Sequence, residues 1–154
     1  MAYHPNRRFN IDWVLVDEIA VGKAPIEKSH FNLLKKEGIK SILSLSKENE
    51  TSFSKILFSE FNHERVILPD HRSGRAPNIE ELNLALSTLK KLHSLGPVYV
   101  HCIASMERSP LICIAWLIKE NGLNVEQAMD YMMQIHNGTN PLPEQLAILN
   151  KLCD

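Results

Sequence analysis

The sequence predicts an α/β fold in which a central, mainly parallel sheet of about four to five strands is flanked by helices. Short runs rich in β-branched residues alternate with segments of helical periodicity, an order that is typical of parallel sheets. The apolar run from Leu111 to Ile118 has no polar face, which predicts a helix buried on all sides. A chain of 154 residues, 44% of them hydrophobic, can form one complete core. We therefore expect residues 1–154 to form a single domain.

The first half of the chain alternates short strands with one short helix. Apolar clusters between turn residues predict four strands, at 13–16, 19–21, 39–45 and 66–68. Phe31, Leu33 and Leu34 predict a short helix that ends at Gly38. Residues 50–59 carry only a weak helical pattern.

The second half contains the longest helices and one further strand. The spacing of its apolar residues predicts an amphipathic helix through Ile79, Leu82, Ala85, Leu86, Leu89 and Leu92. A strand is expected at 98–100, followed by a helix with Ser109 as N-cap and Pro110 in its first position. Asn124 and Gln127 form a capping pair that predicts another helix, and the last helix is expected to start near Pro143.

Composition excludes several classes of protein. The chain has 17 Lys and Arg residues against 18 Asp and Glu, so it lacks the basic excess of a nucleic-acid or anionic-membrane binder. Its longest apolar run, 111–118, is too short for membrane insertion. The three cysteines are widely spaced, which predicts reduced thiols and a cytoplasmic location. The histidines show no metal-ligand spacing. We expect a monomer without a metal.

The segment from His101 to Arg108 joins the strand at 98–100 to the buried helix, and it is a candidate anion site. Free backbone N–H groups and the positive end of the helix dipole meet at such a junction. In this setting, beside a cation, we expect Cys102 to be a thiolate nucleophile. The planar guanidinium of Arg108 can bind two phosphoryl oxygens at once.

The motif His101-Cys102-(five residues)-Arg108-Ser109 resembles the signature loop of the cysteine-based protein phosphatases, HCxxGxxR(S/T). Asp70 follows a predicted strand, at the distance before Cys102 at which the small dual-specificity branch carries its general acid. The segment 137–141, followed by a helix, is similar to the last loop of that branch. The resemblance implies a phosphotyrosine-phosphatase-like fold.

The resemblance also implies a role for each residue of the motif. The Cys102 thiolate attacks phosphorus, and Asp70 protonates the leaving oxygen and later activates water. Backbone N–H groups and the Arg108 side chain bind the phosphate, with the loop formed by Ile103, Ala104, Ser105, Met106, Glu107 and Arg108. Ser109 hydrogen-bonds the sulfur and His101 supports the loop. Neither a metal nor another cofactor is implied.

Three positions depart from the family pattern. Ser105 replaces the loop glycine, which costs on the order of 1 kcal/mol if that position has a positive φ. Glu107 precedes the arginine, where its carboxylate could repel phosphate; we expect it to point to solvent instead. Leu142 replaces an asparagine of the last loop. The loop also lacks the extra Lys or Arg expected for a polyphosphoinositide substrate.

The leading hypothesis is a dual-specificity phosphatase acting on phosphorylated protein. One alternative is a phosphate-binding pseudophosphatase, in which Ser105 and Glu107 have impaired catalysis. Another is a phosphatase of a non-protein substrate such as a phosphoglucan or a lipid, and a rhodanese-type sulfurtransferase is disfavoured because it would not require Asp70. His71, Arg72 and Arg75 are expected to form a solvated loop face, with substrate contact by one of the arginines as the alternative.

Overall fold

The computed structural model describes residues 9–47, 58–103 and 107–152 of the chain. Its five strands are β1 (Asp12–Leu15), β2 (Ile19–Gly22), β3 (Ser41–Ser44), β4 (Asn62–Arg65) and β5 (Val98–His101). Five α-helices lie in the described ranges: α1 (Lys28–Lys36), α2 (Ile79–His93), α3 (Arg108–Asn121), α4 (Val125–Ile135) and α5 (Pro143–Leu149). The same ranges contain two short 3₁₀ turns, His71–Ser73 and Asn150–Leu152. The predicted α/β fold is confirmed.

The five strands form one sheet in the order β1-β2-β5-β3-β4. Strands β2, β5, β3 and β4 run parallel to one another, and β1 pairs antiparallel with β2. In register, His101 at the end of β5 lies beside Gly22 of β2 and Ser44 of β3. The carboxyl ends of the four parallel strands therefore meet at one edge, where open α/β sheets bind ligands.

Alternate residues of the central strands pack against opposite faces of the sheet. Val98 and Val100 of β5 join the larger core, which contains the buried residues of α2 and α3. Tyr99 points to the smaller core on the other face, with Phe31 and Leu34 of α1. Full burial of one such side chain stabilises the fold by about 1.5–3 kcal/mol, so both faces of β5 are firmly held.

Helix α3 runs through the larger core. Every residue from Arg108 to Ile118 is buried, as the apolar run predicts. The predicted capping pair is confirmed, since Asn124 caps α4 with Gln127. A second capping box, which was not predicted, joins Asn78 and Glu81 at the start of α2. No helix among residues 9–47, 58–103 and 107–152 combines the length and apolarity that crossing a membrane requires.

The predicted strand at 66–68 is wrong in position. The fourth strand is Asn62–Arg65, and its four side chains are all polar, so a search for apolar alternation does not find it. Val66 and Leu68 continue along the sheet edge, where their N–H groups donate to the carbonyls of Ser44 and Leu45. The strand predicted at 39–45 is shortened to 41–44. The weak helical pattern at 50–59 lies largely outside the described residues.

Candidate active site

Cys102 directly follows β5 and is only 3% exposed. Its Sγ lies 3.3 Å from Oγ of Ser109, which stands in the first turn of α3. The prediction that Ser109 is the N-cap is wrong: α3 begins at Arg108, with Glu107 in the N-cap position. The Ser109 hydroxyl faces the sulfur instead of capping the helix, because the helix starts before it.

Arg108 is 4% exposed, and its guanidinium turns towards the loop that follows β4. Nη1 donates to the carbonyl of Leu68 at 3.4 Å, and Nη2 lies 3.9 Å from Oδ2 of Asp70. A cavity of about 290 Å³, here called the thiol cavity, is lined by Asp70, His71, Arg72, Cys102, Ile103, Glu107 and Arg108. The structure thus brings the predicted nucleophile, arginine and acid to one cavity.

The predicted phosphate-binding loop is described at its two ends. Ile103 and Glu107 line the thiol cavity, and the Ile103 carbonyl accepts a hydrogen bond from the N–H of Ala24 at 3.1 Å. This bond ties the loop to the segment after β2. Ala104, Ser105 and Met106 lie outside the described residues.

Asp70 is 9% exposed and caps the 3₁₀ turn at His71–Ser73. Its carboxylate accepts from the Arg72 N–H at 3.0 Å and from Arg72 Nε at 2.9 Å, with Arg72 Nη2 at 2.7 Å. Burial by itself would raise the pKa of Asp70, but the hydrogen bonds from Arg72 and the charge of Arg108 outweigh it and lower this pKa. The carboxyl group is therefore held in its ionised form.

His101 is fully buried and links the nucleophile to two neighbouring strands. Nδ1 donates to the Cys102 carbonyl at 2.8 Å, and Nε2 lies 2.6 Å from Oγ of Ser44, which in turn lies 2.8 Å from Nε2 of His63. Burial lowers the pKa of His101 to about 3, so the ring is neutral. With Nδ1 protonated, Nε2 accepts from the Ser44 hydroxyl.

Sequence reasoning missed Ser44 and His63 because neither belongs to the motif. The signal for Ser44 is positional, because Ser44 and His101 are register partners on adjacent parallel strands. His63 is the register partner of Ile42 and contacts Ser44 through its side chain. The register of neighbouring strands can be inferred only after the strand order is known.

The prediction that Glu107 points to solvent is wrong. Its side chain is 17% exposed, and its carboxylate contacts His71 and Gln145. Leu142, at the position of the family's asparagine, precedes α5 and donates its N–H to Gln145 Oε1 at 2.7 Å. Gln145, which is 2% exposed, carried no signal in the sequence that would distinguish it from other helix-surface amides.

A second, larger cavity of about 770 Å³ adjoins the thiol cavity. We call it the basic cavity, since its charged lining is Lys47, Asp70, Arg72, Arg75, Glu81 and Arg108. Both terminal nitrogens of Arg75 bind the Glu81 carboxylate, at 2.7 and 2.9 Å. The predicted solvated loop face is confirmed, since the side chains of His71, Arg72 and Arg75 are more than half exposed. Arg72 also lines both cavities.

Comparison with known proteins places this arrangement in a family. The family model "Dual specificity phosphatase, catalytic domain" matches residues 24–153, and the chain belongs to this family of cysteine-based phosphatases.

The relatives include proteins named for a lipid substrate. Phosphatidylglycerophosphate phosphatase PTPMT2 of Arabidopsis thaliana is 28% identical over 141 residues, which cover 90% of this chain and 61% of that protein. Phosphatidylglycerophosphatase and protein-tyrosine phosphatase 1 of Homo sapiens is 25% identical over 150 residues, 94% of this chain and 75% of that protein. The crystal structure of Tk-PTP in the active form superposes with a TM-score of 0.81 at 20% identity, covering 93% of this chain and 95% of the other, and shows a shared fold.

The buried, neutral His101 predicts a specific pH dependence of stability. With an unfolded pKa near 6.5 and a folded pKa of about 3, the unfolded chain binds one more proton in that interval, so stability falls as pH falls. This group contributes a loss of about 2 kcal/mol between pH 7 and pH 5. In urea unfolding at both pH values, His101→Asn should lose about 2 kcal/mol less than the wild type.

If His101→Asn and the wild type lose the same free energy of unfolding between the two pH values, His101 is not the neutral buried group described here.

Proposed function

We propose that this chain hydrolyses phosphomonoesters through a phosphocysteine intermediate. The observation that carries the proposal is the convergence of Cys102, Arg108 and Asp70 on the thiol cavity, with Ser109 Oγ 3.3 Å from the sulfur. Membership of the dual specificity phosphatase family supports the same chemistry.

In the first step the Cys102 thiolate attacks phosphorus, an S–P bond forms and the P–O bond to the leaving group breaks. The leaving oxygen takes the proton of the Asp70 carboxyl group. In the second step water attacks phosphorus, the Asp70 carboxylate accepts its proton, and the S–P bond breaks to return the thiolate. Arg108 stabilises the equatorial oxygens, and the Ser109 hydroxyl donates a hydrogen bond to the departing sulfur.

Asp70 must be protonated for the first step, whereas its contacts with Arg72 favour the carboxylate. The proposed acid therefore works at acidic pH, or after substrate has drawn Arg72 away from it. In either case Arg72 controls how much of the enzyme carries the proton that the leaving group needs.

For the substrate class, we favour a phospholipid head group that carries a phosphomonoester and a second anionic group. The names of the Arabidopsis and human relatives support this choice. The basic cavity supports it as well, because Lys47 and Arg72 line it and can bind a second phosphate there. Arg72 also lines the thiol cavity, so the two anion positions would be adjacent.

Phosphorylated protein is the second candidate. The human relative is named both as a phosphatidylglycerophosphatase and as a protein-tyrosine phosphatase, which supports protein as an alternative substrate class for this chain. A phosphotyrosine peptide lacks the second phosphate and would leave the Lys47 side of the basic cavity empty.

Turnover of p-nitrophenyl phosphate tests the reaction. We expect vanadate-sensitive hydrolysis with an acidic optimum, and Cys102→Ser should reduce kcat by about 10⁴-fold or more while retaining phosphate binding. Asp70→Asn should slow phenyl phosphate, a poor leaving group, by about 10²-fold and p-nitrophenyl phosphate far less. Phosphate binding by a wild-type chain without any turnover would identify a pseudophosphatase instead.

The contacts of Asp70 predict how Arg72 affects the pH profile. Removing Arg72 removes hydrogen bonds that favour the carboxylate, so the pKa of Asp70 should rise. In Arg72→Ala, the alkaline limb of kcat/KM for phenyl phosphate should therefore move to higher pH. Arg75→Ala is the matched control, because Arg75 lines the same cavity but binds Glu81. An unmoved limb in Arg72→Ala would remove Arg72 from this role.

A charge substitution in the basic cavity separates the two substrate classes. We expect Lys47→Ala to raise KM about tenfold for phosphatidylglycerophosphate in phosphatidylcholine vesicles, since one charge-assisted contact is lost. KM for p-nitrophenyl phosphate should stay within about twofold of the wild type, and so should KM for a phosphotyrosine peptide. Arg75→Ala again serves as control. Equal effects on all three substrates would argue against a second anion position beside Lys47.

A further inference from the structure

The carboxylate of Glu107 connects three segments that are distant in sequence. Oε1 accepts from the backbone N–H of His71 at 3.1 Å and from Nε2 of Gln145 at 3.0 Å, while Oε2 accepts from Nδ1 of His71 at 2.5 Å. Glu107 immediately precedes Arg108 at the start of α3, and His71 immediately follows Asp70. The third partner, Gln145, belongs to α5.

These contacts act on Asp70 through its own backbone. The N–H of His71 is part of the peptide group between Asp70 and His71, which is planar and includes the Cα of Asp70. The hydrogen bond from this N–H to Glu107 therefore fixes the orientation of that peptide group. The second hydrogen bond, between the His71 ring and the other carboxylate oxygen of Glu107, prevents this segment from rotating about the first hydrogen bond. Because Arg108 is the next residue after Glu107, the position of Asp70 is set relative to the arginine that holds the phosphate.

We propose that Glu107 is a positioning residue that holds Asp70 at the distance from phosphorus required for proton donation. The inference rests on the proposed function. In this role Glu107 supports catalysis, whereas the sequence suggests that its charge could repel the phosphate. Both of its carboxylate oxygens accept hydrogen bonds from other donors. Gln145 braces the same carboxylate from α5, which keeps it from turning towards the phosphate.

The test compares two leaving groups, because only a poor one needs the proton of Asp70. In Glu107→Ala, kcat/KM for phenyl phosphate should fall about tenfold more than kcat/KM for p-nitrophenyl phosphate. In an Asp70→Asn background, adding Glu107→Ala should change the phenyl phosphate rate by less than about threefold, since the acid is already absent. Equal losses on both substrates, or fully additive losses in the double variant, would overturn the proposal.

Two further variants separate positioning from charge and from folding. Glu107→Gln removes the charge but keeps an amide oxygen that can accept from the backbone N–H of His71, so it should restore most of the phenyl phosphate rate. His71→Ala removes the ring contact but keeps the backbone N–H. Its kcat/KM for phenyl phosphate should therefore fall, but by less than that of Glu107→Ala. A Gln variant as impaired as the Ala variant would contradict positioning by hydrogen bonds.

Vanadate inhibition gives a readout that proton donation does not affect. Its inhibition constant should stay within about threefold of the wild type in Glu107→Ala, whereas relief of repulsion would tighten it about tenfold and overturn the proposal. Glu144→Ala removes the same charge from an exposed position on α5 and is the control for both readouts. A wild-type chain that hydrolyses neither substrate overturns the proposed function, and this inference with it. An active wild type with equal losses in Glu107→Ala overturns the inference alone.

Discussion

The burial of helix α3 fixes the direction of its amino-terminal N–H groups, and the whole site depends on that direction. Every residue from Arg108 to Ile118 is buried, and those from Leu111 onwards belong to the larger core, so the helix cannot tilt without opening that core. The Glu107 side chain makes no cap hydrogen bond to the helix, so the positive end of the helix dipole is directed at the position of the anion. Strand β5, held by parallel neighbours on both sides, delivers Cys102 to the same point. Hydrophobic packing at a distance from the site therefore determines where the sulfur meets the helix terminus.

Charge is then distributed around that point by a few paired groups. Asp70 lies between Arg72, which binds it directly, and Arg108, at 3.9 Å. Under the proposed function the carboxyl group has to alternate between acid and base, and Arg72 biases it towards the ionised form. Arg72 also lines the basic cavity, so an anion bound there competes with Asp70 for the same guanidinium. Occupation of the basic cavity and protonation of the acid are thus linked through one side chain.

How much of this the sequence could predict depends on whether a feature is local. The strand, loop and helix around Cys102 were predictable, because a β-branched run, a turn and an apolar helix follow one another directly. The predicted strand at 66–68 lies after the actual strand β4, because Asn62–Arg65 is polar and adopts the strand conformation through pairing with β3. The contacts of Ser44 and Gln145 join elements that are far apart in the chain. They follow from sheet register and helix docking, which a single sequence does not display.

Glu107 shows why a departure from a family pattern is hard to interpret from sequence alone. An acidic residue beside a phosphate-binding arginine is unfavourable if its charge faces the phosphate, and the sequence offers only repulsion or exposure as outcomes. The structure supplies a third: three donors from His71 and Gln145 meet the carboxylate. Charge-assisted hydrogen bonds of this kind offset the cost of partial burial of the carboxylate. Alanine or serine there would leave the backbone N–H of His71 without this acceptor, so the glutamate and the turn after Asp70 are best understood as one unit.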